Sequence, residues 1–570
     1  MGHFGASRRL DWFATVDGPG GKGLVFTKVL TSVTGMIYVM GELGVGSNQD
    51  YYVAKFDPTG TQSPVWSRTF NGSNDLMDSP RAMVLDASGN VYVTGVSFVS
   101  ATDANIVTIK YANSDGSTVW SATYDGAAID DIDQAYDMAI DGVRNTYIAG
   151  SSPRRGQGGS PVGRDLIVLR YDMNGQPHDQ WPETDAEFEG ERRWSNPNFD
   201  GIDEGFAIAL GSIPQIDLPP ISYVVVSGQT QQSSTNQDWA TVLWEIETGD
   251  QRWFKTYSSI SKRFINHSNT DRAFSVAADA SGYLLVYGNV GGAQQFPGVT
   301  GAAKYRAIDG LVCWAGEVCL LSGTTAVGQN AVAAKLDGRG ALVTVNRALD
   351  NESTIEGQNM IASRWKVSLG IVDCPTMGES GLGVCTEGED EYLVQHGPEW
   401  IRQYDRSATN NNDEEIATGL AIDPMGRIAV GGYERTGSGA SDLIGIHYSR
   451  RFPYGQSEEV NEGCTYFRRS VSDNKVEARA ATTQPWGNFI AAGREGPESS
   501  PKGFVGRFCW LIGDVNGDEI VDDADLAIIL ENFGQPASNK CDPRDIDENG
   551  EIDDGDLAAV LTHFGRQCNP

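Results

Sequence analysis

Two stretches near the carboxyl end of the chain carry oxygen-bearing side chains at the same spacing, and each residue of the second lies 31 positions after its counterpart in the first. The side chains fall at positions 1, 3, 5, 9 and 12 of a twelve-residue loop, and position 7 offers its backbone carbonyl. Ca²⁺ is a hard cation that takes about six to eight oxygen ligands from loops of this kind. The spacing therefore predicts two calcium sites. The first loop contains Asp514, Asn516, Asp518, Ile520, Asp522 and Asp525, and the second contains Asp545, Asp547, Asn549, Glu551, Asp553 and Asp556.

A short apolar segment follows each loop and predicts one helix, over 526–533 and over 557–564. The tandem pattern, with no helix entering either loop, resembles the dockerin domain (type I-like) of bacterial extracellular complexes over roughly residues 512–568. The resemblance implies that the five side chains of each loop bind one Ca²⁺, so that two ions are held. It also implies a small α-helical domain over 512–570 and a cohesin-like protein as its partner.

Two departures from the dockerin pattern bear on these expectations. Position 6 of the first loop is Glu519, where a Gly would take the sharp turn, which predicts a weaker first site. Positions 10 and 11, which contact cohesin in many dockerins, are Asp523-Ala524 and Asp554-Gly555 instead of a hydroxyl pair. Calcium binding is therefore better supported than cohesin binding, and the rest of this chain is a second candidate partner for the module.

The chain before residue 510 contains a pattern that recurs about every 50 to 80 residues. An Asp-x-x-Gly turn joins two alternating segments, as in a β-hairpin, with clear copies at 82–95, 277–288 and 420–432. A second hairpin follows, and its closing strand usually carries a Trp four residues before an aromatic residue. Four strands per copy are typical of a β-propeller blade. The segment Gly89–Gly95 is similar to the bacterial SBBP or "YVTG" propeller repeat, which implies the fold and no particular activity.

The repeats predict a mainly β protein with a propeller over residues 10–510. The last unit ends before its Trp-bearing strand, and the segment 10–16 has the missing pattern, so we expect the N-terminal strand to complete that unit and leave no open sheet edge. Because 271–404 is degenerate, seven blades with a large insertion is the alternative to eight. The eight predicted units are 18–70, 78–124, 133–195, 203–257, 271–349, 352–404, 413–470, and 478–510 with 10–16.

The formal net charge of −33 argues against nucleic acid as a partner, because binding phosphate requires a basic surface. The sequence contains no apolar stretch of the roughly 18 residues that a membrane-spanning helix needs. Residues 1–10 lack the apolar core of a signal peptide. Eight Cys residues together with the calcium loops nevertheless favour an oxidising compartment, and so an extracellular or cell-surface location.

The pairing of the cysteines stays open at this stage. Cys541 and Cys568 flank the second loop and its helix, whereas Cys464 and Cys509 would link neighbouring strands. Two further pairs are close in sequence, namely Cys313 with Cys319 and Cys374 with Cys385.

Acidic residues recur before the first and third strands of most units, and this periodicity favours a structural role in backbone hydrogen bonding over a cation or ligand site. The regular spacing of the closing-strand Trp residues likewise favours packing over sugar stacking. Long loops are predicted within 151–202 and over 366–399, where we expect a ligand to bind. The recurrent acids are Asp78, Asp133, Asp203, Asp271 and Glu415 before the first strand, and Asp50, Asp165, Asp238 and Asp442 before the third.

Catalytic patterns are absent from the sequence: the six His residues lack metal-ligand spacing and there is no Gly-x-Ser-x-Gly motif. The leading hypothesis is an exported, non-catalytic binding or scaffold propeller, with a glycan or a protein as ligand, assembled or attached through its calcium module. The alternative is an extracellular hydrolase or lyase that degrades polysaccharide. A quinone-dependent oxidoreductase is less well supported, since the tryptophan-docking repeat of that family is missing.

Overall fold

The computed structural model describes most of the chain, with its longest gaps at 366–399 and 449–464. Every structural statement below concerns the described residues. They are 6–8, 10–44, 46, 48–57, 62–126, 128, 131–155, 161–178, 181, 189–215, 218–257, 271–290, 299–318, 320–322, 325–327, 329–336, 342–349, 358–365, 400–404, 414–435, 440–448, 465–469, 475–538 and 542–568.

The described residues form short antiparallel strands, arranged as a succession of four-stranded sheets. Strands β1 (Ala6–Arg8) and β2 (Leu10–Val16) pair with strands from the far end of the chain. Sheet 1 contains β3 (Leu24–Thr31), β4 (Ile37–Leu43), β5 (Asp50–Phe56) and β6 (Trp66–Phe70). Sheet 2 contains β7 (Asp78–Leu85), β8 (Val91–Phe98), β9 (Ala104–Tyr111) and β10 (Thr118–Tyr124).

The next three sheets repeat this order. Sheet 3 contains β11 (Gln134–Ile140), β12 (Thr146–Arg155), β13 (Pro161–Tyr171) and β14 (Glu191–Trp194). Sheet 4 contains β15 (Asp203–Ile213), β16 (Ile221–Ser233), β17 (Asn236–Glu245) and β18 (Gln251–Tyr257). Sheet 5 contains β19 (Arg272–Ala278), β20 (Tyr283–Val290), β21 (Val299–Arg306) and β22 (Val312–Val318). A small hairpin of β23 (Leu320–Ser322) and β24 (Thr325–Val327) follows.

The last sheets use both ends of the chain. Sheet 6 contains β25 (Gln329–Leu336), β26 (Leu342–Leu349), β27 (Gln358–Trp365) and β28 (Trp400–Tyr404). Sheet 7 contains β29 (Glu414–Ile422), β30 (Ile428–Arg435), β31 (Ser441–Tyr448) and β32 (Thr465–Arg469). One parallel bridge, Gln358 to Glu414, joins sheets 6 and 7, and β1 extends sheet 7 beside β32. Sheet 8 contains β33 (Val476–Thr483), β34 (Phe489–Glu495) and β35 (Lys502–Phe508).

The N-terminal strand β2 completes sheet 8, as the sequence predicts. It pairs antiparallel with β35, from Leu10 opposite Phe508 to Val16 opposite Gly503. The edge of sheet 8 is thus covered by a strand from the other end of the chain, which removes an exposed row of backbone donors and acceptors.

The first strands of successive sheets contact one another: β3 with β7, then β11, β15, β19, β25, β29 and β33, and β33 contacts β3 again. Most of the buried apolar clusters lie between neighbouring sheets, for instance between sheets 1 and 2 and between sheets 8 and 1. The middle strands β5 and β8 are buried along nearly their whole length, whereas the outer strand β10 is mostly exposed. This arrangement is that of a β-propeller.

The Asp-x-x-Gly segments form the predicted hairpin turns. In the clearest copy, Asp86 Oδ1 accepts the backbone N–H of Ser88 and Asn90, both at 2.9 Å, and Gly89 has a φ of 78°. A left-handed residue at this position is why glycine recurs there. The same side-chain bonding is made by Asp141, Asp172, Asp279 and Asp423.

Two sequence-based boundaries differ from the structure. The predicted units 271–349 and 352–404 divide in the wrong place, because sheet 5 ends at Val318 and sheet 6 begins at Gln329. The closing strand of sheet 5 carries Trp314 followed by Val318, so it lacks the aromatic residue that follows Trp66, Trp120 and Trp253 by four positions.

The predicted long loop within 151–202 is wrong in its first part, since β12 continues to Arg155 and β13 begins at Pro161. The stretch between Tyr171 and Glu191 does lie between strands, with 179–180 and 182–188 outside the described residues. Pro153 and Pro161 made its sequence appear irregular, although the β12–β13 pairing continues from Ser152 opposite Asp165 to Arg155 opposite Pro161. The second predicted loop, 366–399, lies outside the described residues.

Two helices follow the last strand, α1 (Asp523–Glu531) and α2 (Asp554–His563). Each begins about three residues earlier than predicted, because Asp522 and Asp553 cap the helices and Asp525 and Asp556 complete a capping box. In the described part of the chain, no helix has both the length and the apolar character needed to cross a membrane.

Candidate metal centres

The first predicted calcium loop is closed by Asp525, at position 12. Its Oδ1 accepts the backbone N–H groups of Val515 (2.8 Å) and Asn516 (3.1 Å), and its Oδ2 accepts that of Asp522 (2.9 Å). At position 1, Asp514 Oδ1 accepts the N–H of Gly517 (2.7 Å). These bonds bend the chain around the carboxylates, so the acids of the loop are held by backbone donors and not by basic side chains in these contacts.

The central residues of the first loop bond to one another. Asn516 Nδ2 donates to Asp518 Oδ2 (2.9 Å), while the backbone N–H of Ile520 donates to Asp518 Oδ1 (3.0 Å). Ile520 forms an isolated antiparallel bridge with Gln567, just beyond the second helix. The two loop–helix units are therefore tied to each other through position 7 of the first loop.

The second loop repeats this bonding. Asp556 Oδ1 accepts the N–H groups of Ile546 (2.5 Å) and Asp547 (3.3 Å), and Oδ2 accepts that of Asp553 (2.9 Å). These acceptors and donors are the counterparts, 31 positions later, of those in the first loop. The sequence repeat is therefore also a repeat of three-dimensional structure.

The remaining positions of the second loop also have assigned contacts. Asp545 Oδ1 accepts the backbone N–H of Asn549 (3.0 Å), and Asn549 Nδ2 donates to both Asp547 (3.1 Å) and Asp553 (3.0 Å). Glu551, at position 7, bridges to Pro536 and thereby reaches the end of the first half.

Three acids of the second loop converge. Asp545, Asp547 and Asp556 each bring one carboxylate oxygen within 4.8 Å of the other two. Burial and, to a smaller extent, the neighbouring charge of Asp547 raise the pKa of Asp556 to about 6, although the backbone N–H bonds that it accepts oppose the shift. Such a set of oxygen donors suits a hard divalent cation, which would offset the repulsion between the carboxylates.

Position 6 adopts a left-handed backbone in both loops. Glu519 has a φ of 73° and Gly550 a φ of 110°. Glycine populates this region without steric cost, whereas a residue with a Cβ is strained there. The predicted turn at position 6 is therefore present in both loops, and only the first makes it with an unfavourable residue.

The carboxyl end is bonded covalently to the end of the last propeller strand. Cys509 and Cys568 form a disulfide with a Cα–Cα distance of 5.8 Å. The two pairings considered from sequence, Cys541 with Cys568 and Cys464 with Cys509, are thus wrong. Pairing depends on where the chain returns in space, and α2 returns beside the end of β35.

Trp510 lies between the last strand and the first loop and is buried against sheet 7. Its ring centroid is 4.6 Å from that of His447 and 5.4 Å from that of Phe467, and the Arg427 guanidinium lies 4.0 Å from it. Arg427 also donates to the Trp510 carbonyl (3.1 Å). Aromatic and cation–π contacts of this kind fix the direction in which the chain leaves the propeller.

Further contacts join the calcium loops and their helices to the propeller turns. His447 Nε2 lies 3.1 Å from Glu548 Oε1, at position 4 of the second loop, and both side chains are buried. The Arg566 guanidinium lies 4.8 Å from the Trp486 ring, and the Ile512 N–H donates to the Trp486 carbonyl (3.0 Å). The second loop, through Glu548, and the flanking segments, through Ile512 and Arg566, thus contact sheets 7 and 8.

The recurrent acids before the first strands have the structural role that the sequence favours. In three of them, Oδ2 accepts a backbone N–H from the preceding inter-sheet connection. The donor–acceptor pairs are Gly72 with Asp78 (2.6 Å), Gly126 with Asp133 (2.7 Å) and Asn196 with Asp203 (2.8 Å). Burial raises the pKa of Asp203 to about 6, and these hydrogen bonds oppose that shift.

Three of the closing-strand Trp residues pack between sheets, as expected. Each of the three donates its indole N–H to a carbonyl in the last hairpin turn of the next sheet, which holds the ring against that sheet. The pairs are Trp66 with Asn113 (3.1 Å), Trp120 with Met173 (3.2 Å) and Trp253 with Ala307 (2.7 Å).

One acidic group was not identified from the sequence. Asp103, Asp125 and Asp131 bring carboxylate oxygens within 4.8 Å of one another between sheets 2 and 3. Asp103 lies on the β8–β9 connection, Asp125 and Asp131 lie on the β10–β11 connection, and none matches a recurrent position, so no local spacing marks them. Only the folded arrangement of two neighbouring sheets reveals the group.

Comparisons with known proteins give weak likenesses. No protein-family model and no curated protein matches the sequence. Among solved structures, a quinohemoprotein alcohol dehydrogenase from Comamonas testosteroni is 10% identical with a TM-score of 0.41, covering 88% of this chain and 76% of its own. An ulvan lyase of polysaccharide lyase family PL25 is 9% identical with a TM-score of 0.35, covering 87% and 96%. The β-propeller domain of the Trilobed protease from Pyrococcus furiosus is 9% identical with a TM-score of 0.34, covering 76% and 96%. Likenesses this low carry no argument about activity, and the fold rests on the sheets themselves.

Proposed function

We propose that this chain is an exported, non-catalytic binding or scaffold protein, in which an eight-bladed β-propeller over residues 10–510 carries a dockerin-like module over residues 512–570 that binds two Ca²⁺. The observation that carries the proposal is the matched structure of the two loops. In each loop the acid at position 12 accepts three backbone N–H groups from equivalent residues. A loop that is preorganised in this way spends little conformational entropy when it binds a cation.

Calcium supplies the positive charge that the loops lack. Each loop gathers four aspartates and one asparagine at its ligand positions. Like charges at such separations repel, and a divalent cation converts this repulsion into attraction. Because the ion binds the folded loops and not the unfolded chain, it stabilises the module by mass action.

The order of contacts between sheets supports the proposal of eight blades. The eight four-stranded sheets have first strands that contact each other in sequence and return to β3. Sheet 8 is completed by β2, so both chain ends meet at this one blade. These observations favour eight blades over seven with an insertion.

The module contacts the propeller where the ring closes, which supports an intramolecular role. His447, Trp486 and Arg427 of sheets 7 and 8 contact residues of the module or of the segment entering it. Asp523 and Asp554, at position 10 of each loop, are exposed. A cohesin-like partner would have to recognise an acidic surface there, so we propose the propeller itself as the principal partner and a cohesin-like protein as the alternative.

The disulfide between Cys509 and Cys568 supports an extracellular or cell-surface location, because such bonds persist in oxidising compartments. In that setting calcium is abundant, and loops of modest affinity stay loaded. The ligand of the propeller is then an extracellular glycan or protein.

Calorimetric titration of the calcium-free full chain with CaCl₂ tests the proposal. We expect heat from binding at both loops in the native sequence, and the loss of one loop's contribution in Asp518→Asn and in Asp547→Asn. Each substitution introduces the amide that the other loop carries at position 5 or position 3, so it is a mild change. Titration heat indistinguishable from buffer dilution would reject calcium binding.

Asp523→Asn and Asp554→Asn are the matched controls. Each removes one exposed negative charge next to a ligand position without removing a ligand. We expect both control variants to bind calcium like the native chain. Equal weakening in ligand and control variants would mean that calcium is attracted by net charge alone.

A further inference from the structure

A second acidic group lies on the propeller, far in sequence from the two C-terminal loops. Asp103 precedes β9, Asp125 follows β10, and Asp131 stands shortly before β11. One carboxylate oxygen from each lies within 4.8 Å of the other two. The three side chains therefore converge at the junction between sheets 2 and 3.

Asp131 is the most unusual member of this group. Its side chain is only 2% exposed, and neither carboxylate oxygen has a hydrogen-bond partner among the described residues. A buried carboxylate without a partner is strongly unfavourable, because it has lost its hydration and gained nothing in return. This side chain therefore calls for a cation or a proton.

The nearby charges increase that need. Burial, together with the charges of Asp125 and Asp103, raises the pKa of Asp131 to about 6, although the charge of Arg164 opposes the shift. Arg164 donates to the carbonyl and hydroxyl of Ser151, at 3.3 and 3.0 Å, so its guanidinium is committed there. Burial also raises the pKa of Asp133 to about 7, with Asp131 as the next contributor.

The backbone holds the three residues in place. The Asp131 carbonyl accepts the N–H of Ala104 (2.8 Å), and the Ala104 carbonyl accepts the N–H of Asp133 (2.7 Å). The Asp103 carbonyl closes its own hairpin by accepting the N–H groups of Val99 and Ser100. The carboxylates are thus presented by hydrogen-bonded connections from two sheets.

The propeller repeat does not require acids at these positions. Between sheets 1 and 2, where Asp78 N–H donates to the Gln49 carbonyl, the corresponding residues are Asn48, Asn71 and Leu76. Between sheets 3 and 4, where Arg164 bridges to Ile202, they are Gly163, Ser195 and Gly201. Both junctions form without an acid at any of these three positions, so the fold does not require the three aspartates.

We propose that Asp103, Asp125 and Asp131 form a binding site for one divalent cation, Ca²⁺, at the junction of sheets 2 and 3. The donor set consists of oxygen only, which suits Ca²⁺ or Mg²⁺ and not a soft metal. Three carboxylates on two irregular connections fit the flexible coordination of Ca²⁺ better than the strict octahedron of Mg²⁺. Asp125 is exposed, so water completes the coordination from that side. The ion would fasten two blades at the face opposite their last hairpin turns.

Bound metal per chain, measured by elemental analysis after equilibrium dialysis of the full chain against Ca²⁺ or Mg²⁺, tests this site. We expect the double variant Asp103→Asn, Asp125→Asn to bind one Ca²⁺ fewer than the native chain. The preceding junction carries Asn at both positions, so these changes suit the fold. Asp115→Asn, in the turn at the other end of β9 and β10, is the control and keeps native stoichiometry. Equal bound calcium in the double variant and the native chain overturns the proposal.

Thermal unfolding of Asp131→Asn gives an independent readout. Without calcium, we expect this variant to unfold at a temperature no lower than the native chain, since it removes an unpartnered buried charge. With saturating calcium the order reverses, because only the native chain gains the ion between sheets 2 and 3. If the variant unfolds at a lower temperature than the native chain by the same amount with and without calcium, Asp131 is a purely structural residue. Both readouts compare variants within the propeller, so their outcome is separate from whether the C-terminal loops bind calcium.

Discussion

Glu519 holds position 6 of the first calcium loop with a φ of 73°, a conformation that its counterpart Gly550 adopts without steric cost. The two loops otherwise share their bonding, from the acid at position 12 to the capping boxes of α1 and α2. The strain at one residue therefore distinguishes two sites that are alike in charge and ligand type.

Glu519→Gly should tighten calcium binding at the first loop. Removing the left-handed strain gains about 1 kcal/mol, once the cost of glycine's greater flexibility in the unfolded chain has been subtracted. A gain of this size lowers Kd about five-fold. Calorimetric titration measures the change. Glu519→Gln keeps the strain and removes the charge, so it should leave the affinity near the native value. If Gln tightens binding as much as Gly does, charge and not backbone strain sets the affinity.

The proposed calcium ligands could be named from the sequence because their spacing is local: twelve consecutive residues contain the whole set for each loop. The group of Asp103, Asp125 and Asp131 could not, because its members come from two connections and meet only in the folded chain, where sheet 2 packs against sheet 3. The Cys509–Cys568 disulfide was missed for the same reason, since proximity in sequence says little about where a chain returns.

At the scale of elements, Glu477 on β33 connects the strands around the closing sheet. Its Oε2 accepts hydrogen bonds from Arg494 Nε (2.9 Å) and Arg479 Nη2 (2.7 Å), and its Oε1 from Ser441 Oγ (3.3 Å) and Arg435 Nη2 (3.5 Å). Burial raises the pKa of Glu477, but the hydrogen bond from Arg494 and the charges of the three arginines outweigh it and lower the pKa below its ordinary value of 4.5. The carboxylate thus joins sheet 8 to sheet 7.

Glu477→Gln should destabilise the protein at neutral pH by about 2 kcal/mol, after allowance for the partial exposure of two of the arginines. Since the folded pKa is lowered, the contribution of Glu477 is fully present above pH 4.5 and is lost as the pH falls through the folded value. Denaturant unfolding at a series of pH values should therefore show the difference from native shrinking only in acid.

Glu498→Gln is the control, because this exposed acid pairs with Lys475 on the surface and should change stability little at any pH. If the loss of unfolding free energy in Glu477→Gln stays constant down to strongly acidic pH, the assigned ion pairs are contradicted.

Hairpins and the closing strand were predictable at this scale, because Asp-x-x-Gly turns and alternating segments encode them locally. The boundary between sheets 5 and 6 was not predictable, since Trp314 is not followed by an aromatic residue four positions later, as closing-strand Trp residues usually are. The extended β12–β13 hairpin was not predicted, because Pro153 and Pro161 are residues typical of loops. In the structure Pro161 nevertheless pairs with Arg155.

At the scale of the whole molecule, the calcium module and the closure of the propeller form one structural region. The disulfide, the burial of Trp510 and the contact between His447 and Glu548 join the module to sheets 7 and 8. A module attached in this way resists separation of the chain ends where the ring is completed.

Calcium should therefore slow backbone hydrogen exchange in the propeller turns that the module covers. We expect added protection at residues 423–427 and 484–488, measured by mass spectrometry on the full chain. The equivalent turn at 279–283, in sheet 5, belongs neither to the closure nor to the junction of sheets 2 and 3, so it is the internal control and should exchange at an unchanged rate. Protection confined to residues 512–568 would show that calcium orders the module without stabilising the closure.

The proposed non-catalytic role predicts binding without turnover. Incubation of the full chain with a panel of acidic and neutral polysaccharides should yield no new reducing ends and no unsaturated sugars, with or without calcium. If either product is released, and if substitution of a single surface acid abolishes that release, the polysaccharide-degrading alternative is favoured instead.

The central claim is that the paired C-terminal loops bind calcium. A crystal structure of the full chain grown with calcium, with anomalous diffraction data to locate the ions, tests it most directly. The account predicts one anomalous peak in each loop, with carboxylate oxygens about 2.3 to 2.6 Å away. Ligands should include Asp514 and Asp525 in the first loop and Asp545 and Asp556 in the second. Well-ordered loops without an anomalous peak, at calcium concentrations typical of extracellular fluid, would contradict it.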